Sequence, residues 1–297
     1  MHALAAFVMD SRWKAVMVAI AFAVGAFVVP PAGIVSAAAV ALVALRLGPW
    51  AGLSVAALAT LGLVLLALIA GRPGIGVAYG LSQWLPVLVV AQVLRQTVSL
   101  RLTVQVIIVL GLLGVLLFHA AVADTAAFWM GVMDALVRPV LSQAEVSPAE
   151  LETALQQAAR VMTGMVAALV VVGLILSLFL ARAWQAQLYN PGGFRQEAES
   201  LDLGRAAAAL ALALLALGTA AGQGLALELA LVVLAGFALQ GIVLVHALNR
   251  LTGMHAMWLV GIYLLLLFAL PQMAALLAAV GLVDSFVDFR ARLARRD

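Results

Sequence analysis

Apolar runs of about twenty residues follow one another through this chain, separated by short clusters of arginine, glycine and proline. No other feature restricts the fold so tightly. A helix rises ~1.5 Å per residue, so ~20 apolar residues are what it takes to cross ~30 Å of hydrocarbon. Within that hydrocarbon every backbone N–H and C=O needs a partner in the protein, which leaves helices and closed barrels. The runs lack the alternation of barrel strands and are too long for them. Composition agrees: 66% of the 297 residues are hydrophobic and 10% charged, against ~45–50% and ~25% in soluble domains. The expected fold is all-α: one polytopic transmembrane helical bundle over 1–297, with about eight or nine spans.

The expected spans run in order. The first is Trp13 to Val29, stopped by Pro30-Pro31, which cannot donate backbone bonds. A short second segment, 32–45, reads either as a tilted span or as a re-entrant hairpin. Trp50 to Ala70, Gly74 to Leu94 and Leu102 to Val122 are the next three. Residues 123–160 then carry Asp124, Asp134, Glu145, Glu150 and Glu152 against Arg138 and Arg160. This acidic segment is expected to be an extracytoplasmic helical hairpin on the outer surface. "SPAE" starts one arm, with Ser147 as N-cap, Pro148 at the first helical position and Glu150 closing a capping box. Leu151, Leu155, Ala158 and Met162 share a face of that arm, which is expected to run unbroken into a sixth span, Val161 to Leu180. Phe128, Val132, Leu136 and Val140 mark the other arm. Ala206 to Ala221, Leu225 to Ala247 and Met254 to Leu270 follow. If Arg250 and the basic tail both face the cytoplasm, residues 254–289 must cross twice or dip back, with Pro271 as the turning point.

The 16 basic residues, Lys14 among them, fall between the apolar segments, as the positive-inside rule places them in a bacterial cytoplasmic (inner) membrane. The high pI therefore points to lipid, with the tail "RARLARR" facing anionic headgroups, and no nucleic-acid partner is expected. Cysteine is absent, which removes disulfides, thiolate metal sites and a cysteine nucleophile. Small residues at "SAAA" (36–39) suit signal cleavage, but the apolar run continues to Leu45 and favours an uncleaved segment.

"LYNPGGFRQE" (188–197) is the densest polar and turn-forming run, within an expected cytoplasmic loop at 188–205. Asn190 before Pro191 stops the helix, and Gly192-Gly193 permits a tight reversal. One reading is an interfacial turn. The other is a headgroup or phosphate contact made by the amides of Asn190, Gly192 and Gly193 with help from Arg195. The Tyr-Asn-Pro-Gly-Gly-Phe motif at 189–194, with "WLPVLVVAQVLR" (84–95) and "GLVDSFVDFR" (281–290), resembles the YybS-like family of bacterial multi-pass membrane proteins. That family is distantly similar to the substrate-binding membrane subunits of energy-coupling-factor transporters. The resemblance implies docking of a second membrane protein on small residues four apart in the first helix, and Ala15, Ala19 and Ala23 have that spacing.

Polar side chains within spans are functional suspects. The fourth segment sets Tyr79, Gln83 and Trp84 among glycines and a proline, the kind of interrupted helix that exposes backbone groups to a ligand. Gln240 and His246 complete the expected small-molecule site; belt residues and helix–helix hydrogen bonds are the competing reading. Glu228 is expected to be solvated near the outer face, and Asp288 to pair with Arg292 one turn on. No P-loop lysine, zinc-protease helix or nucleophile elbow is present, and His246 and His255, with no nearby carboxylate, make a poor metal site. No enzyme, cofactor or metal is expected. The leading expectation is a transporter-like, small-molecule-binding subunit; the alternative is a membrane scaffold or regulatory partner binding protein or lipid.

Overall fold

The structure is a computed structural model that describes residues 2–141, 147–220, 222, 224–255 and 257–294. Among these residues all regular structure is helical. In chain order the helices are α1 (His2–Asp10), α2 (Arg12–Ala26), α3 (Ala32–Leu47), α4 (Pro49–Ile69) and α5 (Gly74–Tyr79). A π-helical turn, Gly80–Trp84, joins α5 to α6 (Leu85–Thr97), and α7 (Leu100–Ala121) follows. Then come α8 (Thr125–Leu136), α9 (Arg138–Leu141), α10 (Pro148–Ala159), α11 (Met162–Tyr189) and α12 (Gly193–Glu199). The last are α13 (Arg205–Ala220), α14 (Leu225–Leu251), α15 (Met257–Phe268), α16 (Leu270–Val287) and α17 (Phe289–Ala294).

Among the described residues six stretches are long and apolar enough to span a bilayer: α4, the continuous Gly74–Thr97, α7, α11, α14 and α16. By length and composition the chain is a multi-pass helical membrane protein. The apolar helices α3, α8, α13 and α15 are shorter than a perpendicular crossing needs, so length alone does not reach eight or nine. The chain divides into two compact units, Met1–Ile107 with Val172–Leu201, and Ile108–Val171 with Asp202–Asp297. Helices α7 and α11 each contribute to both.

At the centre of the first unit lies α3. Every residue from Ala37 to Leu45 is buried, with α1, α2, α4 and α6 packed around it. A helix apolar on all sides is stable only when surrounded. The second segment is thus a single enclosed helix and not a re-entrant hairpin. Gly48 ends it at φ +107°, a value that side chains with a Cβ hold only under strain, and Pro49 opens α4 at once. Small residues let the backbones close: a Cβ on Gly52 would lie 2.6 Å from that of Ala44. Ala15, Ala19 and Ala23 on α2 are fully buried within this unit, and the Ala19 carbonyl accepts from Ser36 Oγ on α3 at 2.7 Å. The face expected to receive a partner is already covered by the chain itself.

The core of the second unit is the pair α14 and α16. A Cβ on Gly241 would strike the Leu277 carbonyl, and one on Gly281 the Phe237 carbonyl, so the two backbones touch. Beside them, α13 closes on α14 where Gly218 meets the Leu227 backbone, a Cβ there lying 2.7 Å from Leu227 N. Helices α8 and α10 pack together as a helical hairpin through Met133, Leu155 and Ala159, with Trp129, Met130, Leu151, Ala158 and Met162 around them. Ser147 and Glu150 make both halves of the capping box; Glu145 lies outside the described residues. Two local expectations fail here. The arm does not run into the sixth span, because the helix breaks at 160–161 before α11 begins. In α8, Leu136 is exposed, while Met133 is the residue turned inward.

Candidate functional site: polar groups inside the apolar bundle

In the first unit the polar side chains gather where α3, α5 and the π turn meet. Ser36 Oγ donates to Ala19 O and accepts from Trp84 Nε1 at 3.1 Å, so the fully buried indole is hydrogen-bonded. Tyr79 stacks edge-on against Trp84, ring centres 5.2 Å apart. Its hydroxyl is buried beside Ser36, without a hydrogen bond of full geometry. A Cβ on Gly33 would lie 3.2 Å from Gln83 Nε2 and 3.4 Å from Tyr79 Oη. Phenol and amide therefore converge on the one position of α3 where a side chain is missing. The π turn widens the helix at Gly80–Trp84; such turns are frequent at functional sites.

In the second unit Gln240 is wholly engaged. Its Oε1 accepts from Leu203 N at 2.8 Å, and its Nε2 donates to Gly281 O at 2.9 Å and Ser285 Oγ at 3.2 Å. Ser285 Oγ donates in turn to Asp202 Oδ1 at 2.9 Å. Fully satisfied and buried, Gln240 pins the non-helical segment 201–204 to α14 and α16 and has no group left for a ligand. His246 is committed as well. Its Nδ1 donates to Ile242 O at 3.0 Å, and its Nε2 faces the Tyr263 hydroxyl at 3.3 Å. These two expected ligand residues fasten helices together. Asp288 does not pair with Arg292: it takes φ +51° and ends α16, and Arg292 donates to Val287 O instead. Asp284, buried, holds Phe289 N and Arg290.

The 188–197 segment is a folded-back turn of the first unit. Asn190 N donates to Ala186 O and Gly193 N to Asn190 O. Gly192 sits at φ +90° in open surroundings. Phe194 packs edge-on to Phe179 at 5.6 Å, Arg182 pairs with Glu197, and the Arg46 guanidinium lies 4.0 Å over the Tyr189 ring. One of the two glycine amides that would bind an anion is thus used within the turn. Arg195 stays exposed.

A group that the sequence reading misjudged is Glu228. It is 1% exposed, and its carboxylate meets His119 Nε2 and the Gly164 N–H, the latter at 3.2 Å. His119 went unremarked because it closes an apolar span, with its partner 109 residues away.

No family model matches the chain, and comparison with curated proteins and with solved structures gives no match either.

Proposed function

We propose that the protein is a transporter-like, small-molecule-binding membrane subunit, with Tyr79 and Gln83 as the groups that meet the ligand. The observation that carries this reading is the buried Tyr79 hydroxyl, short of a full hydrogen bond, beside the Gln83 amide at Gly33. A buried polar group short of its hydrogen bond costs up to roughly 1–3 kcal/mol, and a bound molecule would remove that cost. The matching ligand is small and polar, presenting an acceptor to the phenol and both donor and acceptor to the amide. Trp84, held by Ser36, fixes the ring wall of the site.

The same reading puts the protein in a bacterial cytoplasmic membrane, with the hairpin of α8 and α10 outside and the 188–205 loop inside, following the arginines. A count of eight or nine crossings then requires short helices such as α2, α3 and α13 to cross too. The 189–194 motif and its resemblance to the YybS-like family, and through it to energy-coupling-factor subunits, lean the same way.

A second reading, a scaffold without substrate, draws on α15, none of whose residues is buried, and on an open cavity of about 710 Å³ lined by Asp10, Arg12, Trp13, Leu47 and Trp50. Native mass spectrometry of protein extracted gently from its membrane separates the two. A stoichiometric small molecule that Q83A or Y79F releases supports the first; protein carrying only lipid or a protein partner supports the second.

A further inference from the structure

The geometry points to a proton-binding site at His119 and Glu228, independent of the ligand site proposed above. Three helix ends of the second unit meet there: the last turn of α7, the first turn of α11 and the first turn of α14. Glu228 Oε2 faces His119 Nε2, and Oε1 accepts from Gly164 N at 3.2 Å. Gly164 makes this possible, since a Cβ there would lie 2.5 Å from Glu228 Cα. The hairpin closes over the same place. Trp129 Nε1 donates to Thr163 Oγ1, next to Gly164, at 2.9 Å. The Trp129 ring also lies 5.9 Å from that of Phe118, next to His119.

Charge decides what this arrangement binds. With one proton between them, the carboxyl and imidazole make either an ion pair or a neutral hydrogen-bonded pair, and the site carries no net charge. A second proton leaves a net positive charge beside a neutral acid. With none, the buried carboxylate keeps its charge and accepts from Nε2–H of the neutral ring, and the site is net negative. Both alternatives put a net charge into an apolar interior, which is unfavourable. Among the described residues neither side chain makes an ion pair with any other charge. Residues 110–118 of α7 and 162–171 of α11 carry no titratable group. On α13 Arg205 stands at the opposite end from Ala220, and on α14 the next titratable residue is His246, about 27 Å along the helix at ~1.5 Å per residue. In the hairpin, Asp124 caps α8, Asp134, Arg138 and Glu152 pair with one another, and Arg160 ends α10.

Two histidine–carboxylate ligands with no third metal-binding side chain beside them make a poor metal site, and no group of three is found among the described residues. The proton is the ligand that fits. Its access is asymmetric: the His119 side chain is 27% exposed and that of Glu228 1%, so protons enter through the imidazole edge beneath the hairpin. The bound proton then holds α7, α11 and α14 together at the hairpin's base, and this end of the protein responds to pH on the hairpin's side.

The test is nitrogen-15 NMR of histidine-labelled protein in lipid nanodiscs, with the His119 signal assigned by its loss in H119Q and the exposed His255 as internal control. E228Q, nearly isosteric and still able to accept from Gly164 N, is expected to change the proton affinity of His119 by about tenfold or more and to leave His255 unchanged. Amide exchange at 162–166 and 225–230 is expected to speed up in wild type when the pH moves far to either side of neutral, and to lose that response in E228Q. Should E228Q fail to fold, the wild type alone decides. A His119 ring that follows His255 point for point, with exchange at the hairpin base indifferent to pH, overturns the proposal.

Discussion

Val98 is the plainest single-residue departure from ordinary backbone geometry. It links α6 to α7 at φ +51°, and its side chain is exposed, so nothing packed around it repays the left-handed conformation. A left-handed β-branched residue costs ~1–2 kcal/mol, which asparagine largely avoids. Val98→Asn should therefore stabilise the protein by about 1 kcal/mol in thermal unfolding in detergent; destabilisation would show that the valine makes a contact of its own. Gly164 predicts the opposite sign. Its α-carbon rests on the Glu228 backbone, so Gly164→Ala must push α11 from α14 and should cost about 1–3 kcal/mol by overpacking. An unchanged melting temperature in that variant would mean that the two helices are not in contact. Trp84→Phe keeps an aromatic ring and removes the indole donor that Ser36 accepts. The expected loss is ~1 kcal/mol.

Helix ends were legible where their causes are local. Pro30-Pro31 before α3, Gly48-Pro49 after it, Ser147 and Glu150 at α10 and Asn190-Pro191 after α11 all act within a few residues of themselves, and all appear in the structure. The break at 160–161 has no such signal, and there the apolar pattern ran straight across it. Pairings between elements were not legible, because nothing in a stretch of chain records what lies opposite it. Gln240 looked like a ligand group until the 201–204 segment was seen to occupy it. Gln240→Leu should then be destabilising by about 2–4 kcal/mol, since it strands the Leu203 N–H and the Gly281 carbonyl; a stable variant would deny the pinning role. The hairpin gives a pH prediction. Hydrogen bonds from Arg138 first and Gln156 second hold the Glu152 carboxyl below its usual value of 4.5. A depressed carboxyl contributes stability above its unfolded value and loses it as pH falls through the folded one. Amide exchange in α10 should accordingly quicken only on the acid side of pH 4.5, and E152Q should exchange as fast at neutral pH as wild type does in acid. The group is open to solvent, so the effect stays local and shrinks in salt.

At the scale of the whole molecule, the apolar runs were enough to give an all-helical, multi-pass membrane protein, because the bilayer permits little else. They also suggested where polar groups matter, and of the expected site residues Tyr79 and Gln83 converge on Gly33. The pairing of His119 with Glu228 required three dimensions. The account therefore rests on the Gly33 corner taking a small polar molecule. The most direct measurement is native mass spectrometry of the protein released from its own membrane, wild type beside Q83A. The account predicts a stoichiometric small-molecule adduct on the wild type that Q83A, still folded by circular dichroism, no longer carries. A wild type that leaves the membrane bare, or an adduct that Q83A retains in full, would contradict it.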